Sequence, residues 1–136
     1  MPMTLAWRKK VGDHLLGKTD IGAIGDLWIG ISTSDPGDSG SYAGEVSGTG
    51  YGRINVTSLF GAFDASTGIA TNIAAIDFGQ PGSDWGTGSY VFFADSETGT
   101  TAGSMIYKEE IPNPRAMSSG SKAVKWAPGK LTIRHT

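Results

Sequence analysis

Gly37-Asp38-Ser39-Gly40 is the segment whose residue types come nearest to a nucleophilic site. A serine hydroxyl attacks only when a histidine takes its proton and an acid orients that histidine. The two histidines are His14, on a predicted helix, and His135, next to the last residue. A chain of 136 residues is short for the paired barrels that such a triad needs, and Pro36 to Ser41 is ordinary turn chemistry. The segment therefore reads as a solvent-exposed turn, with no catalytic residue assigned. Asp35, Asp38 and Glu45 share one loop and could offer oxygen ligands to a cation. The spacing of a calcium-binding loop is missing, since Gly37 stands where a third-position ligand belongs, so no metal ligand is assigned. Glu109 and Glu110 are adjacent; on a strand they point to opposite faces and cannot work as a carboxylate pair. The absence of Cys removes disulfides and thiolate metal sites. No phosphate-cradling glycine loop precedes a helix, so no cofactor is expected.

Binding has better candidates than catalysis. Tyr42 and Trp85 each sit in a polar, glycine-rich loop, where core packing does not demand an aromatic ring. Such rings stack on sugars or anchor protein contacts when exposed, or else fold back to cap the end of a sandwich. Arg8, Lys9 and Lys10 form a basic run. The net charge of −2 hides how the charges divide. Residues 1–18 carry +3, residues 19–107 carry −9 with Arg53 as their one base, and residues 108–136 carry +4. If the termini lie together, a basic face opposes an acidic body, suited to docking on an acidic partner surface. Nucleic acid is not the expected partner, since the chain is acidic overall and no nucleic-acid motif accompanies the basic residues.

The elements that must position these residues follow from composition. Gly, Ser and Thr make up 48 of the 136 residues, which disfavours a helical bundle because these types prefer turns and caps. Thr4 to Leu16 is the exception: Thr4 can cap a helix, Trp7, Val11 and Leu15 recur on one face, and Gly17 suits the C′ position. Leu27 to Ser32 is apolar on both faces and predicts a central strand. Ser34 to Gly50 is a long loop. Short strand-like runs follow around Ile54, Leu59 to Phe63, Ile69 to Ile73 and Ala74 to Phe78. Further runs lie at Ser89 to Asp95, Met105 to Lys108, Lys122 to Trp126 and Leu131 to Ile133. Pro112 and Pro114 are expected to stop the strand that begins at Met105. Asp64 to Gly68 and Asp95 to Gly99 echo each other and predict one turn used twice. The whole predicts an all-β fold: a helix or arm over 1–20, then a β-sandwich or jelly-roll-like domain over 21–136 with seven to nine short antiparallel strands. No secretory leader or membrane-spanning stretch is legible, which predicts assembly in a cytoplasm and no membrane partner.

Five motifs in order carry a resemblance. WIGISTSDP (Trp28 to Pro36), EVSGTGYGRINV (Glu45 to Val56), IAAIDF (Ile73 to Phe78), SDWGTGSYVFFAD (Ser83 to Asp95) and WAPGKLTI (Trp126 to Ile133) resemble a family of small tailed-phage virion proteins, often called tail-fibre-like. The resemblance spans residues 5–134 and departs at Thr100, where the family tends to have a second glycine. It implies a structural part of a phage particle and brings no catalytic motif, so no enzyme is expected. The first position it implies is a capsid decoration (cement) protein. Its partner would be the major capsid protein or another virion protein, with Arg8, Lys9 and Lys10 fixing the helix to the outer lattice. A homotrimer is expected by analogy. The alternative is a tail fibre or tail-tip component, with Tyr42, Trp85 and the 34–50 loop as contacts to the host surface. A carbohydrate-binding module is the third reading.

Overall fold

The alternating run at Trp28 becomes the middle of the sheet, as apolar groups on both of its faces require. The computed structural model describes residues 3–22 and 24–134; His135 lies outside them. The elements are helix α1 (Leu5–Leu15) and strands β1 (Trp28–Ser32), β2 (Ile54–Asn55), β3 (Ile69–Thr71), β4 (Ile76–Asp77), β5 (Gly86–Ala94), β6 (Met105–Met117), β7 (Lys125–Trp126) and β8 (Thr132–Arg134). All pairings are antiparallel, giving a sheet in the order β2-β1-β5-β6 and two ribbons, β3-β8 and β4-β7. The all-β expectation with one short N-terminal helix is met.

Ile29, Ile31, Val91 and Phe93 of the sheet join Ala70, Ile76 and Ile133 of the ribbons in one buried cluster, so the ribbons form a second layer. Neighbouring side chains on a strand alternate, and Phe92 and Ala94 accordingly belong to a separate cluster with Met105, against Tyr42. Gly30 faces Phe92 in register. Its lack of a side chain is obligatory, because a Cβ there would lie 2.3 Å from Phe92 Cζ.

Helix α1 begins and ends differently from one another. Thr4 does not cap it: the side chain is buried and its Oγ1 donates to the Met105 carbonyl at 2.6 Å. The Thr4 amide donates to Ile106 O (2.8 Å) and the Leu5 amide to Asp38 O (2.9 Å). Amides that a helix start leaves unpaired are thus satisfied by the body of the protein, which docks the helix instead of capping it. At the other end Gly17 takes the expected C′ place with φ +70, its amide bonded to His14 O. The apolar stripe is buried only at its start: Trp7 enters the main cluster, whereas Leu15 is 78% exposed.

The expectation that Pro112 and Pro114 end a strand at Lys108 is corrected, since β6 continues to Met117. It is an edge strand, and its register steps from Tyr90↔Glu110 to Gly88↔Arg115. Residues 111–114 therefore bow out opposite Ser89 as a bulge. Edges and bulges are where a residue without an N–H does no harm to the ladder. The extension also starts β5 at Gly86, earlier than expected, by pairing Gly86 with Met117. The apolar run from Leu59 to Phe63 supplies one bridge, Phe60 to Asn72. The echoed turns also diverge. Asp64 Oδ1 accepts the Ser66 and Thr67 amides (2.8 and 2.9 Å) ahead of Gly68 at φ +68. In the second segment Ser96 Oγ accepts the Gly99 amide (2.8 Å), and the positive φ falls beyond it, at Gly103.

Gly30→Ala is expected to lower unfolding stability by about 1–3 kcal/mol through overpacking against Phe92. Urea unfolding of the purified variant checks it, and an unshifted midpoint would mean that the ring yields freely.

Candidate functional site

Ser34 to Gly50 is rich in turn residues and holds no strand beyond a bridge from Glu45 to Ser32, and side chains add to the backbone bonds that keep it in place. Its three acids do not converge; each meets a cation from a different element. One terminal nitrogen of Arg8, on α1, donates to both oxygens of Asp38 (2.7 and 2.6 Å). Lys108, on β6, donates to Asp35 at 2.7 Å. Glu45 pairs with Arg53, just ahead of β2.

The last pair is out of water, with the Arg53 side chain 2% and that of Glu45 17% exposed. Arg53 Nε and one terminal nitrogen grip the two carboxylate oxygens at 2.8 and 2.7 Å, the fork geometry that suits arginine. The other terminal nitrogen donates to the Ser96 and Gly99 carbonyls (2.8 and 2.9 Å). Tyr51 Oη donates to Glu45 (3.0 Å) and accepts the Ile31 amide of β1 (3.1 Å). The guanidinium carbon lies 4.7 Å from the Tyr42 ring centre and 5.3 Å from that of Phe92. Burial works against the guanidinium charge, but the Glu45 hydrogen bond and charge outweigh it and the pKa of Arg53 is raised. Burial pushes the Tyr42 and Tyr51 phenols up as well, and that of Tyr107 up to about 12.

The residues that the sequence singled out for contact are placed as follows. Trp85 is 3% exposed, donates Nε1–H to Thr49 O (3.1 Å) and meets Tyr51 edge to face. It takes the folded-back, end-capping arrangement. Tyr42 is half-buried, its hydroxyl bonded to Ser104 Oγ (2.6 Å) and its ring edge-on to Phe92. Arg8 is on Asp38, and Lys9 pairs with Asp13 one turn along the helix. Lys10 lies 4.5 Å from the Trp7 ring centre and donates to Gly103 O at 3.2 Å. The structure brings Tyr42 to Arg53 and leaves the helix cations elsewhere. In the Ser39 segment, Gly37 and Gly40 hold φ +73 and +72, the turn expected there, while Asp38 is engaged by Arg8. His14 Nδ1 accepts the Ile21 amide at 3.4 Å. Arg53 itself was not among the expected site residues. Its signal in the sequence is that it stands as the lone base among the ten acids of 19–107.

A family model described as podophage GP4 fiber I protein gp80 matches residues 2–134. The chain belongs to this family. No curated protein matches it. This gp80-family chain is thus a structural protein of a phage virion, the kind of protein that the five ordered motifs imply. The family description carries a fibre and no capsid decoration. Among the described residues no helix of the gp80-family chain is long and apolar enough to cross a membrane.

Arg53→Met strands Glu45 in a buried site and is expected to cost about 3–5 kcal/mol, while Arg53→Met with Glu45→Leu recovers much of the loss. Thermal and urea unfolding of the two variants measure the difference. The pH dependence has a sign at each end. The Lys108 hydrogen bond holds the Asp35 carboxyl below its ordinary value of 3.8, and the Ser66 and Thr67 amides do the same for Asp64. Their contribution is complete above that value and is lost as pH falls below it. The buried tyrosines act oppositely: stability is kept up to their ordinary value of 10 and declines as pH rises beyond it. A plot of melting temperature against pH should be flat between these limits and fall outside both.

Proposed function

We propose that this gp80-family chain is a subunit of the virion fibre, a small rigid β body that presents its surface to the host. The family match over nearly the whole chain carries this reading. Three ion pairs that brace a long loop support it, because a surface that must recognise something gains from being held in advance. The work is binding without chemistry, and the subunit assembles as a homo-oligomer, a trimer by analogy with other virion proteins.

Capsid decoration is the second reading, drawn from the basic run. It needs Arg8, Lys9 and Lys10 to face an acidic lattice, yet Arg8 and Lys9 already face Asp38 and Asp13. That leaves less positive charge for a partner, and the fibre reading is preferred.

Locating the protein on purified virions with gold-labelled antibody, alongside its copy number by quantitative mass spectrometry, decides between them. A few copies at the tail are expected. Label spread over the head at the stoichiometry of the capsid lattice would replace the fibre reading with decoration.

A further inference from the structure

The edge strand β6 does not close against the ribbons along its full length. Between them runs a groove of two lobes that share Ile111 and Trp126. One lobe, about 120 Å³, holds Arg115, Lys125 and Asn113 above Ile31 and Val124. The other, about 180 Å³, holds Glu109 and Lys130 above Val91 and Leu131. The bulge at residues 111–114 makes the room, because it carries that stretch of β6 away from the ladder.

The polar groups of the groove are held and only partly used. A single terminal nitrogen of Arg115 donates to the Lys122 and Ala123 carbonyls (3.1 and 2.9 Å), bridging β6 to the opposite wall. Its other nitrogens make no hydrogen bond among the described residues. Trp126 is half-buried and is set edge-on against Phe78, ring centres 5.9 Å apart. Its indole N–H has no acceptor among the described residues. Lys125 and Lys130 are exposed and form no ion pair among the described residues; Asp77, across from Lys125 in register, accepts the Gly79 amide instead.

An indole face flanked by fixed donors and by a carboxylate is the chemistry that holds a sugar ring. The ring's C–H face lies on the aromatic surface while its hydroxyls reach donors on one side and acceptors on the other. The cationic lobe holds no acid, so it suits a sugar that carries a carboxylate, which arginine grips best. The second lobe offers Glu109, which shares the face of Val91, to accept a hydroxyl of a neutral neighbour. We propose that this groove binds an acidic oligosaccharide, a uronate linked to a neutral sugar, with the carboxylate at Arg115 and Lys125 and the neutral ring beside Trp126. A peptide laid along β6 as an added strand is disfavoured, since Pro112 and Pro114 have no N–H to offer it. The proposal relies on the fibre reading only for its setting, a glycan on the host surface.

The purified chain is titrated with a hyaluronan tetrasaccharide, in which glucuronate alternates with N-acetylglucosamine, using calorimetry and tryptophan fluorescence. Saturable binding is expected, weakened by salt and about tenfold tighter than that of neutral chitotetraose, in keeping with one charged hydrogen-bonded contact. Lys125→Gln should remove about that tenfold preference, and so should Arg115→Gln. If Arg115→Gln loosens the fold, Lys125→Gln still tests the idea, because that exposed side chain makes no bond within the fold. No saturable binding, equal binding of chitotetraose, or displacement by a polyglutamate peptide would overturn the proposal. So would sedimentation that shows a self-assembled oligomer with Trp126 shielded from quencher. A protein located at the fibre that binds no uronate loses this proposal alone, whereas one that binds uronate but sits on the head loses the fibre reading alone.

Discussion

A guanidinium almost wholly removed from water has to be answered on every side, and the arrangement around Arg53 follows from that need. Glu45 meets its charge, the Ser96 and Gly99 carbonyls take its remaining terminal nitrogen, and the Tyr42 and Phe92 rings lie beside it. Through Tyr51 the same carboxylate is tied to the Ile31 amide of β1. Two loops and the central strand, segments with little strand pairing among themselves, are thereby held in one arrangement. The net stabilisation from such a pair is small, because desolvation opposes the attraction; the penalty for breaking it is large. It acts as a constraint on conformation more than as a source of stability. The Arg8–Asp38 pair differs in kind: both side chains are more than half exposed, and pairs of that sort contribute about 0–1 kcal/mol. What secures α1 is the backbone bonding at Thr4 and Leu5 together with the buried Trp7.

The same need to satisfy backbone groups shapes the edge of the sheet. An open edge strand invites pairing with another chain. Here the start of β6 is covered by a bridge from Tyr107 to Met3, and its middle bows out at residues 111–114 before the strand pairs again with β5. An edge protected in this way is a poor template for strand addition.

Charge shows how far folding redistributes what a sequence displays. The basic run on the helix is the more conspicuous, but Arg8, Lys9 and Lys10 all have partners inside the molecule. The less conspicuous excess in residues 108–136 leaves Lys125 and Lys130 exposed and unpaired among the described residues. Unpaired positive charge is therefore found beside the ribbons, apart from the basic run on the helix.

Alternation and turn chemistry are local properties, and what depends on them was legible without coordinates. The helix up to Gly17, the central place of the Trp28 strand and the Asp64 turn all follow from residues within a few positions of one another. The split of Phe92 from Phe93 onto opposite faces is of the same kind. Pairing between distant segments was not legible. That Thr4 bonds to Met105 and leaves the helix uncapped depends on contacts across the chain, as does the tolerance of Pro112 and Pro114 on an edge. So does the separation of the three loop acids among Lys108, Arg8 and Arg53. Burial of Trp85 belongs here too: an aromatic residue in a glycine-rich loop reads the same whether its ring faces water or Tyr51. Sequence specifies which groups must be satisfied, and only the tertiary fold specifies which partners come within reach, because a hydrogen bond or ion pair needs a few ångströms of approach that no spacing along the chain encodes.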